Sequence, residues 1–277
     1  MHNRLLYKVA RVLEAIGEHR ALRLEELHLL LDLPKPTLLR LLGDLEELGW
    51  LYRRLGDKRY VLLADIGVPI DPCNRLASVT GPFLNDLFDM TGVASDLVVA
   101  TPSGPRILES NYSRLGIRTG QDRIIGARPC PLGAASGRAL ASGVGHGAID
   151  AWYSELDDHQ FNGLDKERRG GLFRRQPDTW EYLFRRPFDV DAIAITLPIS
   201  NQTCVAMNLY WDARYLPFRV VEINHLPRLK TVGRRLASVL QGHITALEAL
   251  SIDDTFGHEL SIVPPSRCLH EEATRRG

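Results

Sequence analysis

From Leu24 to Leu62 the apolar positions change period, and the changes outline two helices, a turn and a hairpin. Leu38, Leu41, Leu42, Leu45 and Leu48 recur at i, i+3, i+4, i+7 and i+10, which predicts a helix with one buried stripe and with Thr37, Arg40, Asp44 and Glu47 on its outer side. Gly49 follows directly, where a left-handed C-cap belongs. Trp50-Leu51-Tyr52 and Tyr60-Val61-Leu62 then bracket the basic run Arg53-Arg54-Leu55-Gly56-Asp57-Lys58-Arg59, which predicts a two-stranded wing. Upstream, Leu5, Leu6, Val9, Val12, Leu13 and Ile16 keep helical spacing and predict a first helix with Arg4, Lys8 and Arg11 on its outer face. Together these form an all-α-plus-wing winged helix-turn-helix over residues 1–63.

Periodicity breaks at residues 64–74, where Gly67, Pro69 and Pro72 predict a linker. Leu76, Val79, Phe83, Leu84, Leu87 and Phe88 then predict a connecting helix that Gly81-Pro82 should kink or interrupt. Residues 96–100 and 106–110 read as a hairpin, Gly133 to Ser142 as a small-residue helix and Thr179 to Arg186 as a short one. Strands are expected at Ala192 to Ile199 and Cys204 to Trp211, and one long helix from about Pro217 to Leu247, burying Val221, Leu226, Leu229, Val232, Leu236, Val239 and Leu240. Strands mixed with helices in this order predict an α+β domain over residues 75–250, and residues 251–277 read as a loosely ordered tail.

Composition narrows the function. A chain of 277 residues with 44% hydrophobic content has room for two cores. Zero formal net charge argues against a general basic coat for RNA or membranes. Lys and Arg exceed Asp and Glu by only about two over the first sixty residues, so the case for DNA rests on placement. Lys35, Thr37 and Arg40 fall in the first turns of the helix that would enter a major groove, and Arg53, Arg54, Lys58 and Arg59 fall in the wing. Cys73, Cys130, Cys204 and Cys268 are far apart, form no metal-ligand spacing and read as reduced thiols. No apolar run suits a signal peptide or membrane span, so a cytoplasmic protein is expected. Gly133-Ala-Ala-Ser136-Gly137 lacks nucleophile-elbow spacing, Gly143-Val-Gly145-His-Gly147 follows a helix and not a strand, and the histidines show no metal spacing. No catalytic residue, metal or cofactor is expected.

The run Leu24-x-Glu26-Leu27, Leu33-Pro34-Lys35-x-Thr37-x-x-Arg40-Leu41-Leu42, Leu45-Glu46-x-x-Gly49 and Tyr60-x-Leu62 resembles the N-terminal domain of the IclR family of bacterial transcription regulators. Pro131-Leu132-x-x-Ala135-x-Gly137-Arg138-Ala139-Leu140-Ala141 resembles the family's effector-domain signature, and Ile193-Ala194 with Pro198-Ile199 its later pocket strand. The resemblance covers residues 4 to 247, densely only in the first sixty, and is closest to the branch of activators responding to hydroxyphenylpropionate or other aromatic acids. Two departures stand out: Arg23 and Leu24 occupy the start of the second helix without a capping hydroxyl, and Pro36 removes a backbone donor from the recognition helix.

The resemblance implies a GAF-like effector domain, a small carboxylic acid effector, a double-stranded DNA operator, a homodimer or dimer of dimers, and RNA polymerase as a partner of an activator. Alternation along the last strand puts Cys204, Ala206, Asn208 and Tyr210 on one face and Val205, Met207, Leu209 and Trp211 on the other. Asn208 and Tyr210 then form a candidate effector wall, or alternatively face solvent or satisfy backbone groups. Arg128, in the segment the resemblance places across the pocket, could fork onto the acid, or be a loop cation paired with an acidic residue, and Thr196 is a further candidate. The second functional reading is a ligand-sensing adaptor whose winged helix binds protein. It requires an exposed apolar patch, whereas DNA binding requires strong salt dependence.

Overall fold

The computed structural model describes residues 4–67, 70–115, 124–143, 152, 170–175, 190–200 and 203–252. Three helices, α1 (Arg4–His19), α2 (Leu24–Leu31) and α3 (Lys35–Glu47), precede a hairpin of β1 (Leu51–Arg53) and β2 (Tyr60–Leu62). Val12, Ile16, Leu27, Leu38, Leu41 and Leu42 fill the centre of this domain. Truncating either of the paired Leu41 and Leu42 to alanine would cost about 2 to 5 kcal/mol by lost burial and cavity formation.

Local chemistry sets the ends of these helices. Arg23 has no acceptor to cap α2, and Glu26 supplies the cap in reverse by accepting the Arg23 N–H at 2.7 Å. Asp32, at φ 51°, turns the chain in the left-handed region between α2 and α3. Pro36 fits the first turn of α3 because its N–H would have no intrahelical partner. Gly49 takes φ 70° beyond α3 as expected, with its N–H on the Glu46 carbonyl and that of Trp50 on the Leu45 carbonyl. Two expectations fail at helix ends. Leu48 leaves the apolar stripe because the helix has ended, and is 65% exposed. Leu5 and Leu6 are exposed, whereas Val12, Leu13 and Ile16 in the later turns of α1 are buried, and α2 and β2 are the elements that pack on α1.

The Asp71 side chain opens α4 (Pro72–Thr91) by accepting the Cys73 N–H at 2.8 Å. Pro82 lies inside α4 without interrupting it. The second domain is built on an antiparallel sheet of order β4-β3-β7-β6-β5, from β3 (Asp96–Thr101), β4 (Gly104–Ser110), β5 (Phe173–Arg174), β6 (Val190–Pro198) and β7 (Cys204–Asp212). Its α5 (Ala135–Gly143) covers one face. The other face carries α4, α6 (Phe218–Asn224), α7 (Leu226–Leu240) and α8 (Ile244–Ile252). The single C-terminal helix expected from periodicity is three helices. Pro227 cannot continue α6, residues 241–243 tighten into a 3-10 turn after α7, and Val239 faces solvent. The expected helix at Thr179 to Arg186 and the tail from residue 253 lie outside the described residues.

Strand alternation sorts the sheet as the sequence predicts. Val205, Met207, Leu209 and Trp211 join Ile193, Ile195 and Leu197 under α4 and α7. Cys204, Ala206 and Tyr210 join Ala192 and Ala194 on the α5 side. Small residues permit the close approach of α5: a Cβ on Gly143 would lie 2.6 Å from the Cys204 sulfur. Cys73 and Cys204 are free thiols, but Cys130 is disulfide-bonded, against the expectation of four reduced cysteines. Among the described residues no helix is long and apolar enough to cross a membrane.

Candidate functional site

The outer face of α3 carries Lys35 and Arg40, both exposed, with Thr37 half-buried between them. Lys35 sits 3.5 Å from the exposed Glu25, a weak surface pair that a phosphate could displace. In the wing, the Arg53 guanidinium stacks 5.3 Å above the Tyr60 ring while its charge stays exposed. Lys58 is half-buried at φ 61°, and burial pulls its ammonium below the ordinary lysine range.

The other two wing cations are spent inside the protein. Arg54 is only 3% exposed and grips the buried Asp57 by two hydrogen bonds, at 3.1 and 2.5 Å. The expectation that Arg54 meets DNA is thereby corrected: the wing turns it toward the second domain, where a charge needs a fixed partner. Arg59 forks onto Glu26 at 2.8 and 2.9 Å and donates to the Ala21 carbonyl, so it clamps the wing to the start of α2. Its side chain is not positioned as a free phosphate contact.

The wing tip is docked on β4. Glu109, fully buried, accepts the Tyr52 hydroxyl at 2.8 Å, the Leu55 N–H at 3.1 Å and the Gly56 N–H at 3.1 Å. It also accepts the neighbouring Ser110 N–H at 2.8 Å. Burial pushes the Glu109 carboxyl up to about 7, with these hydrogen bonds opposing the rise. The Ser113 hydroxyl donates to the Leu55 carbonyl, and glycines make the contact close: a Cβ on Gly81 would lie 2.4 Å from the Tyr52 hydroxyl, and one on Gly56 2.6 Å from Ile125. Beside the tip lies a cleft of about 20 Å³, room for one water, between Arg54, Asp71, Cys73 and Arg106.

On the opposite face of the same sheet a second polar cluster is buried. Asp96 accepts the Asn208 amide and the Tyr210 hydroxyl, each at 3.1 Å, and its N–H donates to the Asn208 carbonyl oxygen at 2.6 Å. The Tyr210 hydroxyl also lies 3.3 Å from the Ser110 hydroxyl. Burial and the adjacent Asp96 charge hold the Tyr210 phenol well above its ordinary range, so it stays a donor.

Asn208 and Tyr210 therefore do face inward together, but they hold an internal carboxylate. Arg128 does not oppose them. It donates to the carbonyl and hydroxyl of Ser103 in the β3–β4 turn, roughly 20 Å along the hairpin from Asp96 at strand rise. The expected pairing of Arg128 with Asn208 and Tyr210 around one acid is corrected: the loop cation satisfies a turn. Thr196 is likewise committed to packing, donating to the Ala139 carbonyl of α5 at 2.7 Å. Sequence reasoning missed Glu109 and Asp96. Their signal is a carboxylate among the apolar residues of a strand, a position that burial tolerates only with partners.

Residues 6–55 match the model of the IclR helix-turn-helix domain. No curated protein matches the chain. Among solved structures, an IclR-type regulator from Silicibacter is 19% identical, with 86% of this chain and 96% of that one covered at a TM-score of 0.50. The IclR of Thermotoga maritima is 15% identical over 87% of this chain and 100% of its own, at a TM-score of 0.49. An IclR regulator from Alicyclobacillus acidocaldarius is 18% identical over 86% and 99%, at 0.48. At these identities the Silicibacter likeness shows the two-domain fold alone. The helix-turn-helix match falls on α1, α2, α3 and the start of the wing, the elements that present Lys35, Thr37 and Arg40, so residues 6–55 are similar to an IclR helix-turn-helix domain.

Proposed function

We propose that the chain is an operator-binding regulator whose α3 enters the major groove of duplex DNA and whose α+β domain, a GAF-like sensor, binds a small organic effector that changes operator affinity. The observation that carries the DNA half is the outer face of α3: Lys35 and Arg40 are exposed beside Thr37 within the matched helix-turn-helix domain, over a helix whose other face is fully committed to the core. Arg40 reads base edges, Arg53 and Lys58 contact phosphates, and the protein acts as a homodimer or dimer of dimers on paired half-sites in the cytoplasm. As an activator it would also meet RNA polymerase.

The effector half rests on the α5 side of the sheet, where Ala94, Ala192, Ala194 and Ala206 surround the Asp96, Asn208, Tyr210 and Ser110 cluster. A buried carboxylate reads donors, so the group recognised there is a hydroxyl, and the effector class that fits is a hydroxylated aromatic molecule. An acid group on it needs a partner other than Arg128. Thermal-shift measurements with hydroxylated benzoic and phenylpropionic acids and their deoxy counterparts test this. A hydroxylated ligand at about a hundred times its dissociation constant should stabilise the protein by roughly 2.7 kcal/mol, and Asp96→Asn should remove its advantage over the deoxy form. Equal shifts for both ligand sets on the unsubstituted protein would contradict the assignment.

A further inference from the structure

We propose that Glu109 is a positioning residue that holds the wing tip, residues 54–57, on the effector domain and so keeps the tip out of the DNA groove while Arg53 and Lys58 still reach phosphates. The inference rests on the DNA-binding reading above and adds its regulation. Three donors of one domain, the Tyr52 hydroxyl and the N–H groups of Leu55 and Gly56, converge on one buried carboxylate of the other. Such convergence is costly to break, because undocking leaves Glu109 without the partners that offset its burial. In this geometry the tip cannot enter a groove. Arg54 and Asp57 are buried, Leu55 packs against the core of the second domain, and Gly56 lies against Ile125. Of the wing cations, Arg53 is exposed and Lys58 half-buried, while the half-buried Arg59 is held by Glu26.

The placement of Glu109 also makes the contact responsive. On β4 it pairs with Leu97 and lies on the α4 side of the sheet, whereas Ser110 pairs with Asp96 and points to the α5 side, where its hydroxyl meets Tyr210. Consecutive strand residues thus hold the wing on one face and the polar cluster on the other. A ligand that displaces Tyr210 or Asp96 shifts the Ser110 backbone, whose N–H is itself a donor to Glu109. The two arrangements then differ in wing freedom, which is the differential state that an effector needs to alter DNA affinity.

The test uses the full chain with Glu109→Ala and, as a milder cut, Tyr52→Phe, which removes one of the three interdomain donors and leaves the carboxylate. Hydrogen exchange reads docking, and binding to a random-sequence duplex across a salt series reads its consequence. Both variants should keep the wild-type exchange in β3 and β7 and accelerate exchange of the 51–60 segment, by about tenfold or more for Glu109→Ala. Both should bind duplex more tightly, and the salt slope of Glu109→Ala should steepen by about one as the wing reaches a further phosphate. Unchanged exchange at 51–60 in both variants, or faster exchange with wild-type affinity and slope, would overturn the proposal. If Glu109→Ala fails to fold, Tyr52→Phe alone decides by the same two readouts. No duplex binding by any form at low salt would instead contradict the proposed function, and equal binding by all forms contradicts the latch alone.

Discussion

Arg40 and Arg54 carry the same charge and sit in the same small domain, yet only Arg40 is exposed. Arg40 is exposed on the outer face of α3, so Arg40→Ala should cost roughly 1 to 3 kcal/mol of specific DNA affinity and leave the melting temperature unchanged. Arg54 is buried on Asp57, and Arg54→Ala should destabilise by about 3 to 5 kcal/mol, because it abandons a buried carboxylate. Chemical denaturation separates the two: equal stability losses would contradict these placements. Glu109 gives a third prediction at this scale. Its folded-state value, raised from 4.5 to about 7 by burial, means that the folded protein binds this proton more tightly than the unfolded chain. The stabilisation is complete below about 4.5 and is lost as pH rises through about 7, by up to about 3 kcal/mol. Glu109→Gln should flatten that part of the stability curve, and an unchanged slope would show that ionisation of Glu109 is not its source.

At the scale of elements, local rules were legible and long-range partners were not. The helix-turn-helix, the wing and the two faces of β7 follow from periodicity, because a stripe of leucines or an alternation of sides is written in consecutive residues. The break between α6 and α7 was equally readable in Pro227, but continuous apolar spacing masked it. What local pattern cannot carry is which distant group meets a charge. Arg128, a candidate for an acid or for an ordinary loop cation, meets Ser103, and Asn208 and Tyr210, candidates for a ligand wall, meet Asp96, far earlier in the chain. The wing shows the same limit. Four cations in one run look alike in sequence, whereas folding gives Arg54 to Asp57 and Arg59 to Glu26 and leaves Arg53 and Lys58 available. Replacing Arg53 and Lys58 together with alanine should lower the salt slope of DNA binding by about two with sequence preference unchanged. A slope equal to that of the parent would remove the wing from the interface.

For the whole molecule, the central claim is that α3 reads a specific duplex sequence. The most direct measurement is selection from a random duplex library by the full chain and by Arg40→Ala, followed by sequencing of the bound fraction. The account predicts that the unsubstituted protein enriches one motif arranged as paired half-sites about one helical turn, or a multiple of it, apart, and that Arg40→Ala loses enrichment at particular bases within each half-site. Enrichment of no motif by the unsubstituted protein, or of the identical motif by Arg40→Ala, would contradict it.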